Sequence, residues 1–475
     1  MKTSRKRTDA VRILASLALI SVFGVCSAIA YIVQSPVPVP DWFSNPAASF
    51  ALARGENPNP VTLSRPANQP LSAMALLGQQ IFNDKSLSSS GRLSCASCHV
   101  AANAYAPANK LPAQYGGPTL SGQGVRAVPS LMYLAQQPVF YIGPDPGGDA
   151  DTPVALPQLA SAGTTAARAT KTAQSIAQSA ANIVPEGGLF WDGRVNTLQD
   201  QAMGPLLNPF ELDGGGLALV AAKLRAAPYA GRFTQLFGPL IFKQPPQMLV
   251  SEALFAVARY QVEDPSFHPF SSKYDAWLEG KARLTSAEMR GYVLFNDPAK
   301  GDCAACHLDQ PTTDGQPPLF TDHQYEALGA PRNPDLVVNK TPSYYDLGIC
   351  GPYRTDLAAQ TQYCGMFLTP TLRNAATRQV FFHNGVFHTL RQVLDFYDLR
   401  DTDPAKIYPA GADGKVEVFN DLPQHYRANI DNIDPPLNRT LGESPALTHG
   451  EEKDIIAYLK TLTDGYSAAG SKPGA

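Results

Sequence analysis

Two copies of a short cysteine–histidine motif constrain this chain more than any other feature. Each copy reads Cys-x-x-Cys-His, so the second thiol lies about one helical turn after the first and an imidazole follows directly. The residues are Cys95, Cys98 and His99 in the first copy and Cys303, Cys306 and His307 in the second. Residues of this kind can hold zinc, form a redox pair or attach a haem.

The spacing favours haem attachment over the other two uses. A zinc site needs four ligands held close together, whereas about 205 residues separate the two cysteine pairs. A thioredoxin-like redox pair accompanies a βαβ unit, and no such unit is visible near either motif. Haem c needs two thiols for thioether bonds and an adjacent histidine for the iron. We therefore predict two covalently bound haems c.

The motifs lie in duplicated sequence contexts. Residues 71–84 (LSAMALLGQQIFND) and 284–297 (LTSAEMRGYVLFND) align at an offset of 213, and each precedes a CxxCH motif. Both predict a helix that begins with a hydroxyl N-cap. Amphipathic helices are predicted near the end of each half, at 247–262 and 448–462. Features that repeat together indicate duplicated domains.

The predicted fold is mainly α-helical, with two tandem cytochrome c-like haem domains and long loops. No segment alternates with the period of a strand, and 42 Pro and 37 Gly favour irregular connections. The predicted parts are a targeting segment at 1–33, a proline-rich linker at 34–70, a first domain at 71–275 with a flexible insertion at about 143–183, a second domain at 283–465 and a disordered tail at 466–475.

The first thirty residues predict export. They contain five basic residues and one acidic residue, and residues 13–33 carry no charge. That apolar run is long enough to cross a bilayer, but Ala28-Ile29-Ala30 also fits a signal-peptide cleavage pattern. Either alternative places the rest of the chain in the periplasm, free or tethered to the inner membrane by residues 13–33.

Charge and the remaining cysteines limit the partners and the compartment. The formal charge is −3, and removing the +4 of residues 1–30 leaves −7. An acidic body argues against nucleic acid as a partner and suits a basic docking protein. Apart from Cys26 in the targeting segment, Cys350 and Cys364 remain. In an oxidising compartment they are expected to form a disulfide, the alternative being two buried thiols.

Three longer stretches resemble the bacterial dihaem cytochrome c peroxidases and their relative MauG, over roughly residues 71–465. LGQQIFNDKSLSSSGRLSCASCH is similar to the opening of the family's first haem domain. Residues 188–212 (GLFWDGRVNTLQDQAMGPLLNPFEL) resemble the segment that runs between the haems. Residues 365–385 (GMFLTPTLRNAATRQVFFHNG) are similar to motifs of the second domain. The resemblance implies an enzyme that uses hydrogen peroxide at its first haem.

The middle stretch, residues 188–212, contains residues that correspond to the family's inter-haem tryptophan and its distal pocket, where peroxide binds. Trp191 falls where the family has a tryptophan between the haems, and such an indole can carry an electron hole. Gln201, Pro205 and Glu211 follow at the spacing of the distal-pocket residues, where a carboxylate can move a proton between the peroxide oxygens. Without the resemblance, Trp191 would be read as a buried indole and Glu211 as a surface residue.

The first haem has no local histidine for its sixth ligand. No histidine occurs between His99 and His268. Met132, Met203 and Met248 could serve, but isolated methionines are more often core residues. The sequence therefore favours an open or weakly ligated first iron.

Tyr397 is the expected ligand of the second iron. It lies 14 residues after His383, where ordinary peroxidases of the family have methionine and MauG has tyrosine. A phenolate stabilises ferric and higher iron, whereas methionine raises the reduction potential. Met366 is the competing ligand, and a core tyrosine in an amphipathic helix is the remaining alternative.

The family's calcium ion is doubtful in this chain. The asparagine that holds it corresponds to Ala127, within residues 126–129 (RAVP), and residues 378–380 (RQV) replace the family's Thr-x-Pro. Backbone carbonyls could still bind the ion, but the hard side-chain oxygen is missing.

The resemblance implies a peroxidase-type oxidoreductase that draws electrons through its second haem. The reductant is either a small redox protein, such as a cytochrome c or a cupredoxin, or the aromatic residues of a partner protein. Tyr397 favours the second, MauG-like form. The alternative is a non-catalytic dihaem electron carrier, which predicts two six-coordinate low-spin irons.

Overall fold

A computed structural model describes residues 46–144 and 183–467 of the chain. The predicted targeting segment at 1–33, nearly all of the predicted insertion and most of the predicted tail lie outside these residues. Within the described ranges, no helix is both long enough and apolar enough to cross a membrane.

The described chain is mainly helical, as predicted. In chain order the α-helices are α1 (Pro46–Ala53), α2 (Ala73–Phe82), α3 (Cys95–Cys98), α4 (Leu198–Leu207), α5 (Leu217–Ala226), α6 (Ala230–Phe237), α7 (Pro246–Glu263), α8 (Lys273–Leu278), α9 (Ser286–Phe295), α10 (Leu390–Leu399) and α11 (His449–Lys460). Short 3-10 helices lie at Lys85–Leu87, Ala101–Asn103, Leu134–Gln136, Ile241–Lys243, Pro265–Phe267, Cys303–Ala305, Val337–Lys340, Thr361–Tyr363, Ala375–Thr377, Pro404–Lys406 and Gln424–Asn429.

Strands are present where the sequence predicted none. They form antiparallel pairs, β1 (Tyr115–Gly116) with β2 (Gly122–Gln123), β3 (Tyr141–Pro144) with β4 (Ile183–Glu186), and β5 (Tyr325–Glu326) with β6 (Phe367–Leu368). Segments of two to four residues are too short to display an alternating pattern, which is why the sequence did not reveal them. The pair β3–β4 closes the base of the predicted insertion.

The sequence repeat corresponds to one helix crossing in each half. Helices α2 and α9 begin at the predicted N-caps Ser72 and Thr285, whose hydroxyls accept from backbone N–H groups three residues on. Gly78 of α2 and its repeat partner Gly291 of α9 allow the close approach of α7 and α11. A Cβ at these glycines would lie 1.8 Å from Ala256 O and 2.0 Å from Asp454 O, respectively. The repeated glycine is therefore a packing requirement.

Each half has its own apolar core. The first core combines residues of α2, α5, α6 and α7, and the second combines residues of α8, α9 and α11. The predicted linker also takes part, because Leu52 and Leu63 are buried in the second core and Trp277 donates its indole N–H to Gly55 O at 3.0 Å. The proline-rich composition of residues 34–70 did not reveal this packing.

Buried polar contacts join the two halves. Tyr133 of the first core donates to Asp464 Oδ2 at 2.5 Å, and Asn374 donates to the same oxygen at 2.7 Å. Arg373, in the family-like stretch 365–385, lies over the Tyr133 ring at 5.1 Å. Within the second half it forms a two-pronged ion pair with Asp275 of α8, and both side chains are almost fully buried. These contacts link the first core to the second half.

The expected disulfide between Cys350 and Cys364 is confirmed, with Cα atoms 4.9 Å apart. It lies beside a small third apolar cluster that includes Ile349 and Met366. Met366 is therefore held in a core beside the disulfide.

Candidate functional site

Both motif histidines are oriented in the same way. His99 Nδ1 lies 3.0 Å from Tyr105 O, and His307 Nδ1 lies 2.8 Å from Phe320 O. A backbone carbonyl at this position accepts a hydrogen bond from a protonated Nδ1, which leaves Nε2 as the metal-binding nitrogen. Burial lowers the pKa of His99 to about 4, although the Tyr105 carbonyl opposes this, so the imidazole is neutral and ready to ligate.

The cysteines fit haem attachment better than redox or zinc chemistry. Cys95 and Cys98 form the single turn α3, and Cys303 begins a 3-10 turn before Cys306; none of the four is in a disulfide. Burial raises the pKa of Cys95 to about 12 and that of Cys98 to about 11. A reactive CxxC pair needs a thiolate, which these surroundings disfavour. Among the described residues, no group of three side chains placed to hold a metal ion includes these cysteines.

The cavity beside Cys95, Cys98 and His99, called here the N-terminal cavity, contains the predicted distal residues. Gln201, Pro205 and Glu211 all line it. Gln201 and Pro205 are four residues apart on α4, so they share one helix face. After α4 the chain turns back, with Leu212 N donating to Pro205 O at 3.1 Å, and this turn brings Glu211 to the same cavity.

Glu211 has one neighbour that the sequence did not identify. Asn208 Nδ2 donates to Glu211 Oε1 at 2.6 Å, while Asn208 Oδ1 accepts from Phe210 N at 3.0 Å, and these two bonds together fix the amide orientation. Burial raises the pKa of Glu211, and the Asn208 hydrogen bond and the charge of Arg194 partly oppose that rise. In the sequence, only the position of Asn208 at the end of α4, three residues before Glu211, hints at this contact.

The described residues that line the N-terminal cavity offer no methionine and no histidine other than His99 as a second ligand for the iron. Met132 is buried in the first core, Met203 packs against that core, and Met248 is exposed. The side chains that the sequence offered as a sixth ligand therefore lie elsewhere.

The cavity beside His307, called here the C-terminal cavity, contains Tyr397. Leu390, Val393, Leu394 and Tyr397 line it from one face of α10, at helical spacing. Burial raises the pKa of Tyr397 well above its ordinary value. Met366, the competing candidate, is absent from this lining.

His383 also lines the C-terminal cavity. Its ring stacks on Phe367 with centroids 3.5 Å apart, and its Nε2 lies 4.0 Å from Asp421 Oδ2. These contacts hold His383 against the cavity wall, whereas Tyr397 extends from a helix face that points into the cavity.

Trp191 lies between the two cavities. Its side chain lines the C-terminal cavity, and its indole Nε1 donates to Ala127 O at 2.8 Å. The next residue, Val128, lines the N-terminal cavity. Trp191, Ala127 and Val128 therefore form a continuous connection from the C-terminal cavity to the N-terminal cavity.

The region around Ala127 does not fit a calcium ion. The Ala127 carbonyl is taken by Trp191, and the Val128 carbonyl accepts from Arg378 Nη2 at 3.1 Å. Arg126 already neutralises Asp192 and Asp346, at 2.7 and 2.6 Å. A guanidinium beside the carbonyls repels a cation, and the side-chain oxygen is missing.

Comparisons with known proteins identify relatives of this chain. A family model described as di-haem cytochrome c peroxidase matches residues 72–283. The methylamine utilization protein MauG of Paracoccus denitrificans is 30% identical, over 84% of this chain and 90% of MauG. Cytochrome c551 peroxidase of Nitrosomonas europaea is 27% identical, over 74% of this chain and 79% of that protein. The solved structure of the dihaem peroxidase BthA from Burkholderia thailandensis is 33% identical, with a TM-score of 0.69, over 86% of this chain and 89% of BthA.

The chain belongs to the dihaem cytochrome c peroxidase and MauG family. It is an oxidoreductase with two c-type haems, for which its two CxxCH motifs supply the thiols and histidines. The zinc and redox-pair alternatives are thereby set aside.

Proposed function

We propose that the enzyme reduces hydrogen peroxide at the N-terminal haem site and draws the electrons through the C-terminal site, in the periplasm. The reaction consumes one peroxide, two electrons and two protons and releases two waters. The observation that carries the proposal is the placement of Glu211 in the cavity of His99, which no methionine and no other histidine of the described chain lines.

The chain's own residues manage protons at this site. A haem attached through Cys95 and Cys98 and ligated by His99 would supply redox-active iron for the reaction with peroxide. Glu211 takes a proton from one peroxide oxygen and returns it to the other, which assists cleavage of the O–O bond. Asn208 holds the carboxyl in place, Gln201 offers a side-chain amide to the bound oxygens, and Pro205 forms the wall beside them.

Tyr397 supports a MauG-like way of using the oxidising equivalents. A phenolate ligand disfavours reduction of the second iron, and Trp191 lies on the route between the cavities. We propose Tyr397 as the ligand because it projects from α10 into the C-terminal cavity, whereas Met366 lies in another core. The electrons come either from a small redox protein or from the aromatic side chains of a partner protein, and the experiment below distinguishes these two sources.

Electron paramagnetic resonance of the ferric protein tests the proposal. The enzyme predicts a high-spin signal from the N-terminal haem that changes within seconds of adding one equivalent of hydrogen peroxide. Two low-spin signals that do not respond to peroxide would instead identify a non-catalytic electron carrier. Turnover with reduced cytochrome c or a reduced cupredoxin would assign the reductant as a small redox protein. No turnover with either would leave the aromatic side chains of a partner protein as the source of the two electrons.

The periplasmic location rests on residues 1–33. Cell fractionation with N-terminal sequencing of the mature protein separates the two forms. A signal peptide predicts a soluble periplasmic protein that begins after Ala30, and an anchor predicts a membrane fraction that retains residues 13–33.

A further inference from the structure

Arg378 lies between the two haem cavities. It is flanked in sequence by Ala375 and Phe381, which line the C-terminal cavity. Its Nη2 donates to the carbonyl of Val128, which lines the N-terminal cavity, at 3.1 Å. The positive charge of Arg378 also acts on the imidazole of His99.

This guanidinium has no counter-ion among the described residues. Arg126 and Arg373 are each paired with carboxylates at 2.6–2.9 Å, yet no carboxylate of the described chain lies within 4.0 Å of Arg378. Burial lowers the pKa of Arg378 to about 10, and no acidic group opposes it. The Arg378 side chain is only partly exposed, and a charge that loses part of its water without a partner is destabilised, so a bound anion would stabilise it here.

Haem c is the group that brings anions here. Each haem carries two propionate side chains, and a planar guanidinium pairs with carboxylates through two parallel N–H···O bonds. Arg378 also lies in the segment where relatives have Thr-x-Pro. The neighbouring carbonyls of Ala127 and Val128 already accept hydrogen bonds from Trp191 and Arg378.

We infer that Arg378 provides a fixed positive charge between the two haem sites. Its guanidinium is the counter-ion of a propionate of the haem attached at Cys95 and Cys98, and it takes the place of a bound calcium ion. The inference concerns how the cofactor is held and is independent of the reaction proposed above.

A fixed positive charge beside the first haem favours its reduced form, because reduction adds an electron. Arg378→Gln removes that charge at similar length. Spectroelectrochemical titration should show the midpoint potential of the N-terminal haem falling by about 59 mV or more, a tenfold change in the reduction equilibrium. The potential of the C-terminal haem should move less.

Two variants make this result specific. Arg378→Lys keeps the charge and should retain most of the wild-type potential. Arg225→Gln removes an exposed arginine of the same half and should leave both potentials unchanged. If Arg378→Gln instead loses only the N-terminal haem, measured by mass, and Arg378→Lys retains it, the cofactor contact is supported. An unchanged N-terminal potential in Arg378→Gln overturns the inference.

The wild-type protein provides a second, independent test. Metal analysis of protein purified with calcium should find no stoichiometric calcium, and a calcium chelator should leave both haem spectra and potentials unchanged. One calcium per chain whose removal alters the N-terminal haem spectrum would overturn the inference, whether or not peroxide is the substrate.

Discussion

The two cavities attach haem with the same motif and differ in what else the protein places around it. Among the described residues, one carboxylate residue, Glu211, lines the N-terminal cavity. Six described ones line the C-terminal cavity, namely Asp302, Glu326, Asp346, Asp421, Asp431 and Asp434. Of these, Asp346 is paired with Arg126 and Asp421 with Arg332. Tyr397 adds a phenol to the second set. The other carboxylates and a hard oxygen donor stabilise oxidised iron, whereas a single buried carboxyl suits proton transfer.

The difference arises at equivalent positions of a repeat. The N-capped helix, its close-packing glycine and CxxCH repeat at an offset of 213 residues and serve the attachment of haem in both halves. The stretches that hold Trp191 and Tyr397 repeat at an offset of 192: the bridge Leu189–Val195 corresponds to Phe381–Phe387, and Thr197 and Thr389 cap α4 and α10. In this alignment Trp191 corresponds to His383 and Pro205 to Tyr397. We infer that duplication supplied two equivalent haem sites and that different residues at equivalent positions made them unequal.

Glu211→Gln is expected to have the largest effect on the difference between the N-terminal and C-terminal cavities. It removes the proton-transferring carboxyl while keeping side-chain size, so the reaction with peroxide should slow about 10²- to 10⁴-fold. Stopped-flow absorbance after mixing with peroxide measures the rate, and the C-terminal haem spectrum should not change.

Asp213→Asn is the matched control, because it removes a carboxylate from the same turn at a backbone position with φ of 49° that asparagine tolerates. Equal slowing in both variants would mean that Glu211 has no special role.

Tyr397→Phe tests the other cavity. Loss of the phenol oxygen should change the spectrum of the second haem alone and raise its midpoint potential by about 59 mV or more. Met366→Leu is the control and should leave that haem unaltered, because Met366 packs beside the disulfide. If Met366→Leu changes the spectrum and Tyr397→Phe does not, the assignment is reversed. A response to neither variant would direct attention to His383.

Trp191→Phe addresses the connection between the cavities. It should slow the transfer of oxidising equivalents from the N-terminal to the C-terminal haem without altering either resting spectrum, as followed by rapid freeze-quench spectroscopy. Trp277→Phe loses a similar indole-to-carbonyl bond, 3.0 Å against 2.8 Å, inside the second core. The two variants should therefore differ in transfer rate, and equal rates would remove Trp191 from the route.

The sequence predicted the attachment motifs and the repeated helices well, because cysteine–histidine spacing and N-caps are local signals. Ser72 and Thr285 cap the helices that the repeat implied. The positions of Gln201 and Glu211 in one cavity came from family resemblance. Asn208 and Arg378 could not be assigned in this way, because their partners are a side-chain oxygen across a turn and a carbonyl 250 residues distant.

The smallest expected effect is a shift of pH dependence in the N-terminal cavity alone. Burial disfavours the ionised form of Glu211, so its pKa lies above that of an ordinary glutamate. The carboxylate acts as the base, and activity should therefore fall, as the pH is lowered, at a higher pH than an unperturbed glutamate would give.

Asn208→Ala removes the hydrogen bond that opposes this rise, so the acid limb of the pH–rate profile should move to still higher pH. The rate of the peroxide reaction, measured by stopped flow from pH 4 to pH 8, reports the limb. Glu211→Gln should lack it altogether. An identical limb in wild type and Asn208→Ala would show that the amide positions nothing, and a limb that persists in Glu211→Gln would assign the titration to another group and end the contrast between the two cavities.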